Sequence, residues 1–179
     1  MSMTLAQILR VEPAESADEF IGHPENYGAM GIYGGHFLGQ ALAAGLACVD
    51  EPKLAQSMHC YFLRPGDPET PIHYSVTRLR EGRSSDVRSV KGAQHGQVIF
   101  QMTCSFKLPE DGDEHQPQMP TVEAAQVLLK NAASPQQFNP PPTLGGRAEM
   151  VMASEHFIQP EYTQGRAPEL KVWLRCTGD

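Results

Sequence analysis

The stretch GGHFLGQALAAGLACV, Gly34 to Val49, constrains this chain more than any other. Its composition is helical, yet Phe37, Leu38, Ala41, Leu42, Leu46, Ala47, Cys48 and Val49 fall on every face of a helix with about 3.6 residues per turn. A surface helix keeps one polar side, so a helix that is apolar all round is expected to be buried. The same stretch carries Gly34, Gly35, Gly39 and Gly45, although a glycine inside a helix costs about 1 kcal/mol relative to alanine. The rest of the chain must therefore surround one helix and approach its backbone closely.

The following residues supply the surround. In SMHCYFL (Ser57 to Leu63), Met58, Cys60 and Phe62 alternate with Ser57, His59 and Tyr61, the period of a strand. The cluster RPGDPETP then turns the chain. Ile72, Tyr74 and Val76 begin a second strand that runs to about Arg80, Glu81-Gly82 turns, and Ser85 to Gln94 makes a third strand of weaker pattern. His95-Gly96 reads as a tight hairpin turn, in which glycine accepts positive φ. A fourth strand points Val98, Phe100, Met102, Cys104 and Phe106 one way. One apolar helix ahead of a meander of long strands predicts an α+β hot dog fold, with an antiparallel sheet wrapped around a central helix and glycines admitting the sheet. A short amphipathic segment anchored by Leu5, Ile8, Leu9 and Phe20 precedes it.

The organisation read from the sequence is a first hot dog domain over 1–108, a linker with a short helix over 109–146, and strands over 147–179. PEDGDEHQPQMP is an acidic, proline-bearing connector, Thr121 is placed to N-cap a helix to about Ala133, and SPQQFNPPPT is a second stiff connector. Met150 to Ile158 and Glu169 to Cys176 are patterned as strands. Two strands alone are marginal in water. Either they extend the first sheet or they open a second, incomplete hot dog repeat; the second reading is adopted.

Composition excludes several classes. A net charge of −7 argues against a nucleic-acid surface, which needs a basic excess. No apolar run has membrane-spanning length, and the amino terminus lacks a basic segment leading into a long apolar one. Cys48, Cys60, Cys104 and Cys176 lack metal-ligand spacing and read as reduced thiols in a cytoplasm-like compartment. The histidines likewise lack paired spacing, so no metal and no organic cofactor are expected.

YGGHFLGQALAA (Tyr33 to Ala44), SMHCYFLRPGDPETPIHYSV (Ser57 to Val76), SSDVRSVKGAQHGQVIFQMTCSF (Ser84 to Phe106) and the phrase HQPQMP together resemble the type II acyl-CoA thioesterases, the TesB-like double hot dog hydrolases of bacteria and peroxisomes. His36 stands where family members usually carry glutamine. The resemblance implies hydrolysis of a fatty acyl-CoA to the free acid and coenzyme A, in the cytoplasm or, in a eukaryote, the peroxisome. It implies a homo-oligomer built through hot dog sheets, and this chain as an amino-terminal repeat with the start of the next. The family's catalytic groups, an Asp on the second helix with a Ser or Thr and a Gln on later strands, match no position here. The rival reading is a non-catalytic acyl-CoA-binding hot dog module. A hot dog dehydratase is a third possibility, but it would want a carboxylate beside His36 on the helix.

The candidate site residues follow from chemistry. Gly34, Gly35 and His36 open the helix and offer backbone N–H groups to an oxyanion, although packing is the stronger reading for the two glycines. His59 lies within the most specific family phrase and is assigned a supporting catalytic role. Arg83, Arg88 and Lys91, from a cluster that also holds Arg78 and Arg80, are candidates for the coenzyme A phosphates. Asp86, next to Arg83 and Arg88, reads as a solvated salt-bridging group and a poor base. Cys60 and Cys104 alternate with large apolar residues, so neither is taken as a nucleophile.

Overall fold

The computed structural model describes residues 4–26, 31–50, 52–131, 148–152 and 171–176. Its first unit, Met1–Asp113, opens with α1 (Leu5–Ile8), held by a capping box in which Thr4 and Gln7 exchange side-chain and backbone hydrogen bonds. Two short strands follow, β1 (Val11–Pro13) and β2 (Glu19–Gly22), then helix α2 (Gly34–Ala47). The long strands are β3 (Leu54–Phe62), β4 (Ile72–Glu81), β5 (Ser85–Gln94) and β6 (Gln97–Lys107). They form one antiparallel sheet in the order β1-β2-β4-β5-β6-β3, with α2 packed on one face. This is the hot dog architecture. The β5–β6 turn has His95 at φ 51 and Gly96 at φ 73, the two successive positive values that a tight two-residue hairpin requires.

The core joins Phe37, Ala41 and Ala44 of α2, with Cys48 at its carboxyl cap, to Val90, Phe100, Met102 and Phe106 of the sheet. A methyl group at Gly45 would lie 3.1 Å from Cys104 Sγ and 3.5 Å from Val90 Cγ2, so glycine there sets how closely the helix seats. The helix is not buried all round, however. Its buried positions form one stripe; Leu38 and Leu42 are partly buried, and Leu46 is 45% exposed. A sheet with one helix-bearing face covers one side of α2, and Leu9 covers Gly39 on another.

Two strand readings need correction. Alternation put Met58, Cys60 and Phe62 inside, and register places them on the inner face opposite Cys104, Met102 and Phe100. But β3 is the sheet edge, beyond full cover by α2, and Met58 remains 51% exposed. In β6 the register shifts between Gly92 and Ala93, so Ile99 is the extra residue; it is buried and Val98 only partly so.

The second unit is Glu114–Asp179. Its helix α3 (Ala125–Asn131) starts after Ala124, whose carbonyl accepts from Val127 and Leu128, so Thr121 does not cap it. Strands β7 (Ala148–Met152) and β8 (Val172–Cys176) pair antiparallel in a sheet of their own rather than extending the first. The remainder of the strands expected over 150–158 and 169–176, and the connector over 134–143, lie outside the described residues. Among the described residues, no helix is long and apolar enough to cross a membrane.

Candidate functional site

The amino end of α2, the carboxyl end of β3 and the loop after it meet around an open cavity of about 400 Å³. Phe37 of α2 stacks on Phe100 at 5.5 Å between ring centroids, and Phe62 of β3 tilts against Phe100 at 5.3 Å. Phe37 and Phe62 give the site its apolar floor, and the fully buried Phe100 ring packs against both of them. A methyl group on Gly34 would come within 3.1 Å of the Phe62 ring, so the bare backbone there is what lets the helix start beside it. Gly66 is similar: a methyl group would meet Phe37 and Ile32 at 2.6 and 2.7 Å.

The loop is held down at several points. Leu63 and Arg64 both donate their backbone N–H to Ile99 O, at 2.8 and 3.1 Å, and Arg64 Nη1 donates to Val98 O at 2.6 Å. Further on, Asp67 accepts from Thr70 Oγ1 and the Glu69 N–H, and His95 Nε2 lies 3.1 Å from its carboxylate. These hydrogen bonds hold the Asp67 carboxyl below the usual range. Buried Gln94 accepts from the Asp67 N–H and donates to the carbonyls of Asp67 and Thr70. The loop lining the cavity is thereby tied to the β5–β6 hairpin.

The structure brings Gly34 to this cavity, with Gly35 and His36 following it in the first turn of α2. His36 N–H already donates to Tyr33 O at 2.9 Å, and the His36 side chain is buried. His59 is not at the cavity. It pairs with Thr103 and shares the opposite sheet face with Tyr61, whose ring it meets edge-on at 4.9 Å. The sheet stands between His59 and the aromatic floor, so a supporting role at this cavity has no geometric basis.

The proposed phosphate cluster disperses too. Arg83 lies in the β4–β5 turn, and exposed Lys91 lies six residues beyond the start of β5, roughly 20 Å along an extended strand. Arg88 must be withdrawn from the set. It is 1% exposed, and its guanidinium donates inward, from Nε and Nη2 to Cys48 O at the carboxyl end of α2 and from Nη1 to Arg80 O. A cation at a helix carboxyl terminus is favourably placed against the helix dipole.

Asp86 likewise is not solvated. It is buried, 2.8 Å from Lys53 Nζ and 3.5 Å from Arg88 Nη2, and it accepts from the Gly82 N–H. Burial alone would push its carboxyl up, but the hydrogen bonds from Lys53 and Gly82 and the two positive charges together hold it below 3.8. It stays ionised and is no base. Burial pushes the Cys104 thiol up to about 11, which leaves it protonated.

Two residues that sequence reasoning did not single out prove central. Gln40 is fully buried; its Nε2 donates to Ile8 O and His23 O, and its Oε1 accepts from Tyr74. Arg64 sits at the cavity mouth. Gln40 was legible as the one amide inside an apolar helix, whereas Arg64 looked like any turn residue.

Residues 23–107 match the profile of the acyl-CoA thioesterase N-terminal domain family. That stretch, a little under half of the chain, is similar to the TesB-like acyl-CoA thioesterases. The matched stretch begins at His23, whose carbonyl holds Gln40, and ends at Lys107, the last residue of β6; it contains every described residue lining the cavity. The chain is 38% identical to human acyl-coenzyme A thioesterase 8 over 99% of its own length and 59% of that relative. It is 39% identical to acyl-CoA thioesterase 2 of Haemophilus influenzae over 74% of its length and 49% of that relative. The crystal structure of the acyl-CoA thioesterase II TesB2 from Mycobacterium marinum superposes with a TM-score of 0.71 at 29% identity, covering 95% of this chain and 59% of that one. The chain thus spans about half to three fifths of these relatives.

Proposed function

We propose that this chain serves an acyl-CoA thioesterase as its amino-terminal repeat, with the acyl group of a fatty acyl-CoA in the cavity at the amino end of α2. The aromatic floor carries this reading: Phe37 and Phe62, backed by Phe100, offer an apolar bed, and the described lining lies wholly within the stretch that matches the thioesterase family. The first N–H groups of a helix have no intrahelical acceptor, and Tyr33 supplies no side-chain cap to α2. The N–H groups of Gly34 and Gly35 therefore suit a thioester carbonyl, where charge develops during hydrolysis.

One observation favours the rival reading of a non-catalytic acyl-CoA-binding module. Among the described residues lining the cavity there is no carboxylate or imidazole to activate a water. Release of free coenzyme A from palmitoyl-CoA, followed with a thiol-reactive dye, separates the two. Turnover above the uncatalysed rate would place working groups in this chain. Binding without turnover is the expected result and makes this stretch the scaffold, with the chemistry supplied by other residues. Failure to bind acyl-CoA at all would sink both readings.

We further propose that the uncovered edge of β3 is where copies associate. Leu54, Met58, Tyr61 and Phe62 are each more than half exposed along it, and an unpaired strand edge with apolar side chains invites pairing. Light scattering should report a mass above that of one chain, and a monodisperse monomer would count against this. The free thiols of Cys48, Cys60, Cys104 and Cys176 support a reducing compartment, cytoplasmic or peroxisomal.

A further inference from the structure

Arg64 is the one charged residue among the described residues lining the cavity. Several other described cations are committed: Arg78 is clasped by Asp18 and Glu81, Lys53 by Asp86 and Lys107 by Glu110, and Arg88 is buried beneath α2. Arg64 has no carboxylate at ion-pair distance among the described residues. Its Nη1 is anchored on Val98 O and its backbone N–H on Ile99 O, which fixes the residue at both ends. Its Nε and Nη2 make no hydrogen bond to a described residue, and together they form the edge with which a guanidinium grips a carboxylate. Holding a side chain in place beforehand reduces what a ligand must order on binding.

We infer that this cavity holds a long-chain carboxylate, the free acid released by thioester hydrolysis, with its chain on Phe37 and Phe62 and its carboxylate on the open edge of Arg64. This rests on the reading of the cavity as the acyl site. In hydrolysis the oxygen of water forms the new bond to the acyl carbon and the carbon–sulfur bond breaks. Sulfur leaves with a proton as the thiol, and the acid yields its own proton to solvent. The thioester group of the substrate bears no net charge; the carboxylate of the product bears a full negative charge, shared between its two oxygens. Coenzyme A phosphates lie at the far end of its pantetheine arm, many bonds from that carbon. A cation at the mouth of an apolar cavity therefore discriminates for the product, and the site retains it.

The test is calorimetric titration of this chain with decanoate, decanol and free coenzyme A, for wild type, Arg64→Gln and Arg64→Lys. Wild type should bind decanoate more tightly than decanol. Arg64→Gln should weaken decanoate by roughly twofold to fivefold, the scale of an exposed ion pair, and leave decanol unchanged. Arg64→Lys should retain most of the preference. Equal binding of decanoate and decanol by wild type overturns the inference. So does a loss confined to coenzyme A in Arg64→Gln, which would assign the guanidinium to phosphate. If Arg64→Gln loses decanol as well, its cavity has collapsed and Arg64→Lys decides: a lost carboxylate preference overturns the proposal, a retained one supports it. Bound palmitoyl-CoA without carboxylate preference would refute this site and leave the thioesterase reading intact. Carboxylate preference without acyl-CoA binding would do the reverse.

Discussion

Replacing Arg88 by methionine is expected to destabilise the first unit by about 3–5 kcal/mol, the cost of breaking a buried charge cluster by removing one partner. Methionine fills the stem but supplies no donor. Cys48 O at the end of α2 then loses both of its guanidinium hydrogen bonds, and Asp86 keeps only Lys53 and the Gly82 N–H. Against a total stability of about 5–15 kcal/mol this is a large fraction, and the melting temperature should fall by about 10 °C or more. Arg88→Lys should recover part of the loss, because one ammonium cannot serve Cys48 O and Arg80 O with the same fork. A urea midpoint for Arg88→Met equal to that of wild type would show that the cluster does not matter to stability.

The same cluster sets an acid limit. Asp86 is held below 3.8 in the fold, and Asp18, hydrogen-bonded first by Arg78 and then by Cys48, is lowered to about 2. A carboxyl whose folded value lies below its unfolded one contributes stability that is present above the unfolded value and lost as pH falls through the folded one. Urea midpoints should therefore hold level down to about pH 4 and decline toward pH 2, and a midpoint that rose on acidification would reverse the sign argued here.

The second large effect is expected at Gln40. Its amide ties α1 to α2 through Ile8 O, the end of β2 through His23 O, and the sheet through Tyr74. Gln40→Ala removes all three bonds and leaves a hole, and the Tyr74 hydroxyl, 1% exposed, loses its acceptor. Unsatisfied buried groups cost about 1–3 kcal/mol each, so a loss of about 3 kcal/mol is expected by chemical denaturation. Tyr74→Phe alone should cost about 1 kcal/mol, and in the double variant the two losses should fall short of their sum. Strict additivity would mean that the hydrogen bond between them contributes nothing. Gly22 belongs to the same arrangement, since a methyl group there would collide with Gln40 Oε1, which leaves glycine as the residue that fits.

Much of the fold was legible because local patterns and tertiary demands agree. The alternation in β4 and β6, with His95-Gly96 between β5 and β6, placed these strands nearly at their observed ends. The three- and four-residue strands β1 and β2 were not legible, because a period of two needs more residues to declare itself. The site divided in the same way. Gly34, which lines the cavity, was legible as the start of the helix, whereas the phosphate cluster was assembled from residues close in sequence but spread along and across a strand. His59 alternates away from Phe62 by parity alone, so the sheet face that excludes it was readable once the floor of the cavity was known.

By itself, the sequence determined that a glycine-bearing apolar helix must lie against an antiparallel sheet, and which side of β3, β4 and β6 turns inward. Hydrophobic period and turn chemistry act over a few residues, so they are written locally. Only the tertiary structure decided that β3 lies at the sheet edge with Met58 uncovered, that Arg88 closes the end of α2, and that Arg64 is the charged residue among the described lining of the cavity. Each depends on a partner far away in sequence: Cys48 O is 40 residues from Arg88, and Val98 O is 34 from Arg64. Whether a charge is buried and paired or exposed and available depends on the groups that folding brings beside it, and no stretch of sequence carries that information alone.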